Sequence, residues 1–235
     1  MGEAEGGCQV KLFEKMEQGS EQWYAVRKGR ATASEMSKIL TSTGRLSTQA
    51  LGYMRKLARE CVCDDPLEFM GNKYTDWGKG MEEEARAHFV RVMRMDVVEV
   101  GFCARADGAP LGCSPDGLIV GATGGWVGGL EIKCPQVDTH VGYLMDGRLP
   151  SNYKLQVHGS MAVTGLPYWY FMSYFPGLNP LIVRVDADDF TQTVTAALDQ
   201  FVVDYAEERE RVLKAIVPVT GGDTTEAVES EEAII

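Results

Sequence analysis

The stretch CSPDGLIVGATGGWVGGLEIKCP, residues 113–135, sets Asp116, Glu131 and Lys133 among short apolar runs joined by a glycine-rich turn. Burying two acids and a base is costly without a metal or a partner. On a strand, Glu131 and Lys133 share one face, and Ile132 between them points to the other, into the core. If the run holding Asp116 pairs with the run holding Glu131, the two carboxylates lie side by side, with Lys133 one pleat further on. Two carboxylates, a third acid nearby and the Ile132 backbone carbonyl suit Mg²⁺, a hard ion that takes oxygen ligands. A lysine beside a metal-bound water can help to deprotonate and orient it. Such a set serves phosphodiester hydrolysis, in which metal polarises the phosphoryl oxygen and stabilises the leaving oxygen. Taken alone, Asp116 between Ser-Pro and Gly reads as a turn residue. Glu131 and Lys133 alone read as an exposed pair on an edge strand. The E-x-K spacing that follows Asp116 favours the metal reading.

The elements that must position these residues follow from local pattern. RATASEMSKIL predicts a helix start, with Thr32 and Glu35 as a capping box and Met36, Ile39 and Leu40 as its apolar face. STQALGYMRKLARECV predicts a second helix with a stripe of Leu51, Met54, Leu57, Ala58 and Cys61. TDWGKGMEEEARAHFVRVM predicts a third, opened by Asp76, with Met81, Ala85, Phe89 and Val92 along one side. DVVEVGFCA, CSPDGLIV and GGLEIKC are short, β-rich and bounded by Gly or Pro, as strands are. LPSNYKLQVHGSMAVTG returns to helix. PYWYFMSYF and NPLIVRVDA are two more strands, joined by PGLNP, and a long helix runs from about Asp188 to Ile216. This order predicts an α+β fold with one central mixed sheet flanked by helices. A single domain covers residues 1–217, and the acidic tail 218–235 reads as disordered.

At 235 residues and 45% hydrophobic, the chain suits one large domain with a sizeable core. It holds no run of about 18 uncharged apolar residues, so no membrane span is expected. The acidic N-terminus lacks the apolar region of a secretory signal, and Gly6 breaks the myristoylation pattern. Cys8, Cys61, Cys63, Cys103, Cys113 and Cys134 read as reduced thiols of a cytosolic protein and mostly as small core residues. The formal net charge of −11 argues against non-specific binding to nucleic acid. Its distribution weakens that argument. Arg27, Lys28, Arg30, Lys38 and Arg45 fall in one stretch whose only acid is Glu35, which leaves room for a local basic groove.

The pattern P-D-x(n)-E-x-K is the signature of the PD-(D/E)xK nuclease superfamily, though weak alone. Here CSPDGL…GLEIKCP, RKGRATASE, WGKGMEEEAR and LQVHGSMAVTG followed by an aromatic strand come in order over roughly residues 20–190. Together they resemble the phage lambda exonuclease-like viral recombination exonucleases. The resemblance implies a restriction-endonuclease-like core. It implies Glu82, Asp116 and Glu131 as metal-binding acids, Lys133 as the catalytic lysine and Gln156 bordering the site. The run MEEEAR leaves Glu83 and Glu84 as alternatives to Glu82. Arg27, Ser34 and Ser114 match a pocket for a DNA 5′-phosphate, and Arg45 is a candidate contact into the duplex. The implied activity is Mg²⁺-dependent 5′-to-3′ digestion of double-stranded DNA, with two ions and Mn²⁺ as an alternative. It releases 5′-mononucleotides and leaves a 3′ single strand for recombination by strand annealing. A homotrimer ring, a single-strand annealing protein as partner and the cytoplasm of a bacterial host are implied with it. Ser160 stands where other relatives carry the tyrosine of Q-x-x-x-Y, and no cysteine follows Cys134, so no iron–sulfur cluster is expected. Two other readings stay open: a nuclease-fold module that binds DNA or a partner without cutting, and a structure-specific endonuclease. His88, His140 and His158 receive no role. Strand burial explains Tyr168, Trp169, Tyr170, Phe171, Tyr174 and Phe175 more simply than base stacking does.

Overall fold

The computed structural model describes residues 10–63 and 73–216, with backbone alone over 73–79. Cys8, the Asp76 side chain and the tail 218–235 lie outside what it describes. The α+β class holds, but the described strands form two mixed sheets where one was expected. The smaller runs β1 (Val10–Phe13), β4 (Phe102–Arg105), β5 (Leu111–Cys113), β2 (Ala31–Thr32). The larger runs β3 (Val97–Val98), β6 (Gly117–Val120), β7 (Trp126–Lys133), β8 (Tyr168–Ser173), β9 (Leu181–Asp186). The split has two local causes. DVVEVGFCA is not one strand but two, β3 and β4, in different sheets. The break comes at Gly101, where a Cβ would lie 2.2 Å from the Met16 carbonyl oxygen, an approach that only glycine allows. The second break is Pro115, which has no N–H to continue a ladder. Ser114–Pro115–Asp116 therefore becomes a link from the smaller sheet to the larger.

Among the described residues, six α-helices surround the sheets: α1 (Glu21–Arg27), α2 (Ala50–Glu60), α3 (Lys73–Met93), α4 (Val137–Asp146), α5 (Ser151–Thr164) and α6 (Asp189–Ile216). The segment RATASEMSKIL differs from expectation. Ala31–Thr32 is strand, and Ala33–Lys38 is a 3₁₀ turn that Thr32 does not cap. The Thr32 hydroxyl is engaged by Arg27 and Ser34 instead, so no capping box forms. On α2, Tyr53, Met54, Leu57 and Ala58 are buried, while Leu51 and Cys61 are exposed. On α3, Ala85 and Phe89 are buried and Val92 is exposed. Of the cysteines, Cys103 and Cys113 are buried and Cys134 half-buried, while Cys61 and Cys63 are exposed and do not join the core. Helix α4 was not foreseen; it ends at Gly147, whose φ of 60° is the left-handed conformation of a helix stop.

Two hydrophobic clusters cover the two faces of the larger sheet. One gathers Met36, Leu57, Val157, Met161, Trp169, Leu198 and Phe201 from the helices and both sheets. The other packs Ala85 and Phe89 of α3 with Ile119, Leu130, Ile132, Tyr170 and Met172. With both faces covered, Trp169 to Ser173 of β8 are all buried, so their rings are not free to stack on bases. No helix among the described residues is long and apolar enough to cross a membrane.

Beside β8, strand β7 carries Gly128 and Gly129 where the pattern would favour larger residues. A Cβ on Gly129 would lie 2.3 Å from the Trp169 ring, and one on Gly128 2.2 Å from the Tyr168 ring. The glycines let those rings lie across β7. Gly129→Val should therefore lower stability by about 2–3 kcal/mol, a typical cost of overpacking. Urea denaturation would show it as a lower midpoint with unchanged slope; an unchanged midpoint would mean that the ring has room to move.

Candidate active site

The link between the sheets has a cluster of charged and polar side chains at each end. At its start, β2 and β5 run parallel, with Thr32 beside Gly112, so Thr32 and Ser114 emerge from neighbouring strand ends. Helix α1 brings Arg27 over them. Arg27 Nη1 donates to Ser114 Oγ at 3.0 Å and Nη2 to Thr32 Oγ1 at 3.2 Å. Thr32 Oγ1 in turn lies 3.2 Å from Ser34 Oγ. Tyr53 is buried beneath, and its hydroxyl accepts from Thr32 N–H at 3.4 Å. The three residues expected to hold a phosphate, Arg27, Ser34 and Ser114, are thus brought together, with Thr32 and Tyr53 added. Burial works against the Arg27 charge and lowers its pKa. Among the described residues, no carboxylate forms an ion pair with it. A half-buried guanidinium among neutral hydroxyls, open to solvent at Ser34, has the charge and donors that suit an anion.

At the other end, Asp116 N–H donates to Leu130 O at 3.0 Å, which seats Asp116 against β7. Ile132 N–H then donates to Asp116 Oδ2 at 2.5 Å. Glu131 Oε1 takes both Lys133 Nζ and Gln156 Nε2, each at 2.5 Å. Glu131 is 2% exposed and Asp116 8%. Burial, and then the charge of Glu131, push the Asp116 carboxyl up to about 7, against the pull of Lys133. Burial also works to discharge Lys133, but Glu131 and Asp116 outweigh it and hold the ammonium protonated. Among the described residues, no group donates to Asp116 Oδ1 or Glu131 Oε2. Also among them, no three Asp, Glu, His or Cys side chains are gathered into a ready metal-binding group. The donor set nonetheless fits a divalent cation: two buried carboxylates that repel one another, each with an oxygen left open.

Helix α3 carries Glu82, the acid expected to be the third, but the described residues do not gather it with Asp116 and Glu131 into a ready metal-binding group. Burial raises the Cys134 thiol to about 12, followed by Glu82 and Asp116 and, less, Glu84. Glu82 therefore stands near the same thiol as Asp116. Glu84 takes the Tyr174 hydroxyl at 2.6 Å, and Glu83 is exposed. Arg86, one turn after Glu82, was missed in the sequence. Its Nε donates to the Asp116 carbonyl at 2.7 Å and its Nη1 to Glu99 at 2.8 Å, which fixes the Asp116 backbone. The MEEEAR run could have pointed to it, since positions four apart share a helix face. Arg45 is exposed on the turn closed by Leu40 and Leu46, bonded to none of the pocket residues. His140 is buried between Ser173 and the Asn179 carbonyl, His158 meets Thr191, and His88 meets Arg91; all three are accounted for by packing.

The family model described as the YqaJ-like viral recombinase domain matches residues 22–167. The fold is similar to that of an alkaline exonuclease, LHK-Exo, from Laribacter hongkongensis, with a TM-score of 0.70 and 27% identity over 83% of this chain and 97% of that one. LHK-Exo in complex with dAMP matches with a TM-score of 0.69 at the same identity and coverage. A phage related exonuclease from Haemophilus somnus 129PT, at 14% identity and a TM-score of 0.59 over 79% of this chain and 96% of that one, bears on the fold alone. A search of curated protein sequences finds no match.

The raised Asp116 has a consequence for stability. Its folded pKa of about 7 lies above the usual unfolded value of about 3.9. Between those values the native state binds more protons than the unfolded chain, so stability falls as pH rises through that window and stays lost above it. Asp116→Asn should thus raise the metal-free melting temperature by a few degrees at pH 8 and leave it nearly unchanged at pH 4. Thermal melts in chelator at both pH values test this. An equal effect at both would mean that the buried charge is not the source of the strain.

Proposed function

The chain belongs to the YqaJ-like viral recombinase domain family, and from that premise we propose that it is a divalent-metal-dependent 5′-to-3′ exonuclease acting on double-stranded DNA with 5′-phosphorylated ends. The observation that carries this reading is the link Ser114–Pro115–Asp116. It joins an anion pocket built around Arg27 to a pair of buried carboxylates. Two residues of chain span about 7 Å, comparable with one nucleotide. A terminal phosphate held by Arg27, Ser34 and Ser114 then puts the next phosphodiester over the carboxylates, and cleavage there releases a 5′-mononucleotide. The complex of LHK-Exo with dAMP supports a product of that size.

The residues divide the work. Glu82, Asp116, Glu131 and the Ile132 carbonyl would hold Mg²⁺, as two ions or with Mn²⁺ in its place. When bound, the metal supplies Lewis acidity to the phosphoryl oxygen and an acidified water. Gln156 holds Glu131 by Oε1, which turns Oε2 toward the open side. Lys133, kept protonated by Glu131, aims the attacking water and neutralises charge that grows on the phosphoryl oxygens. On the same reading, residues 1–217 act as one nuclease domain, and Arg45 contacts the duplex. The protein forms a homotrimer ring and leaves a 3′ single strand for a single-strand annealing protein, in the cytoplasm of a bacterial host.

Digestion of linear duplex DNA in Mg²⁺, with 5′-phosphate or 5′-hydroxyl ends and with a closed circle alongside, tests the reading. Mononucleotides should come from phosphorylated linear ends, and the circle should survive. Cutting of the circle would make the protein an endonuclease, and digestion of nothing by folded protein would make it a binding module. Lys133→Ala should lower cleavage by at least about a hundredfold while duplex binding, read by anisotropy, persists. Arg27→Ala should erase most of the preference for phosphorylated ends.

A further inference from the structure

The anion pocket contains a residue that neither the sequence pattern nor the phosphate reading called for. Trp23 Nε1 donates to Ser114 Oγ at 3.0 Å and to the Gly101 carbonyl at 3.1 Å. Its ring also lies under Arg27, whose guanidinium carbon is 4.0 Å from the ring centroid. One side chain therefore touches both the cation of the pocket and one of its hydroxyls.

The valence of Ser114 gives this contact a direction. A hydroxyl has two acceptor sites and one hydrogen. Both acceptor sites of Ser114 Oγ are taken, one by Trp23 Nε1 and one by Arg27 Nη1. The hydrogen must point away from both donors. Trp23 and Arg27 thus turn Ser114 from a rotor that could accept or donate into a fixed donor, which is what an anion requires. The carbonyl of Gly101 holds the indole in this role, because Nε1 is shared between the two oxygens. The stacking of the guanidinium on the indole face fixes the plane of Arg27, so that its remaining N–H groups are presented in one orientation.

We propose that Trp23 is the positioning residue of the 5′-phosphate pocket: it orients the Ser114 hydroxyl as a donor and holds the Arg27 guanidinium in plane, so that the pocket is preorganised for a terminal phosphate. The proposal rests on the exonuclease reading above. A preset pocket spares the ordering cost that binding would otherwise carry. Trp23 does this without touching the reacting atoms.

Two variants separate its two contacts. Trp23→Phe keeps a ring under Arg27 and removes the donor to Ser114; Trp23→Leu removes both. The quantity to measure is the ratio of kcat/KM for 5′-phosphate ends to that for 5′-hydroxyl ends. Trp23→Phe should lower this ratio by about fivefold to tenfold, the scale of one hydrogen bond, and Trp23→Leu should lower it further. In a Ser114→Ala background, Trp23→Phe should cause no further fall, because the hydroxyl it orients is gone. A purely structural role for Trp23 would lower kcat/KM for both end types together and leave the ratio intact, which overturns the proposal. So would a fall in the ratio of equal size with and without Ser114. If the unaltered protein degrades both ends equally well, the phosphate-anchoring reading itself fails. If it prefers phosphate and Trp23→Phe and Trp23→Leu prefer it as strongly, only the role of Trp23 fails.

Discussion

The bond from Ile132 N–H to Asp116 Oδ2 is the contact on which the site depends. It spends a backbone donor of β7 on a carboxylate, at the point where Pro115 has just ended any strand continuity from the smaller sheet. The carboxylate is thereby held beside Glu131 in a setting that disfavours its charge. Without such a tether, repulsion and desolvation would turn Asp116 out toward water. Arg86 fixes the same residue from behind through its carbonyl, and Gln156 with Lys133 fixes Glu131. Four residues from three elements, β7, α3 and α5, thus act on two acids.

The two ends of the Ser114–Asp116 link carry opposite imbalances. Arg27 is a cation supported by hydroxyls and an aromatic face, and Asp116 with Glu131 is a pair of acids answered by one ammonium. Each end is costly alone, and each calls for a ligand of opposite charge. A phosphate at one end and a divalent cation at the other would satisfy both. The two-sheet architecture makes this possible, since each imbalance rests on its own sheet and only three residues of chain connect them. A single continuous sheet would have carried Ser114 and Asp116 on one ladder, with the same face for both.

The sequence revealed the carboxylate face because its signal is local. Glu131 and Lys133 are two apart on one strand, and the register with the Asp116 segment follows from a short turn. The convergence of Arg27, Ser34 and Ser114 was legible only through resemblance, since 87 residues separate Arg27 from Ser114 and no periodicity links them. The second sheet was hidden for another reason. Its boundary is set by Gly101 meeting Met16 and by Pro115, and such long-range approaches leave only a glycine and a proline in the sequence. The capping box at Thr32 and Glu35 failed by competition: the hydroxyl that would have capped a helix is recruited by Arg27. Arg86 and Trp23 escaped because each acts on a group far along the chain, a carbonyl in one case and a hydroxyl in the other.

On the proposed reading an acidic protein meets a polyanion, and the cluster around Arg27 offers a way to reconcile the two. A net charge of −11 works against attraction of duplex DNA over the surface as a whole. Its strongest candidate for phosphate is one desolvated guanidinium with hydroxyl donors around it. Interactions of that kind gain from being taken out of water and are short in range. They can recognise a terminal phosphate, which enters a pocket, better than the internal phosphates of a duplex, which stay at its surface. On the proposed reading, the acidic surround is then compatible with the activity and sharpens it: binding is weak along the duplex and concentrated at the one group that the Trp23–Arg27–Ser114 arrangement is shaped to accept.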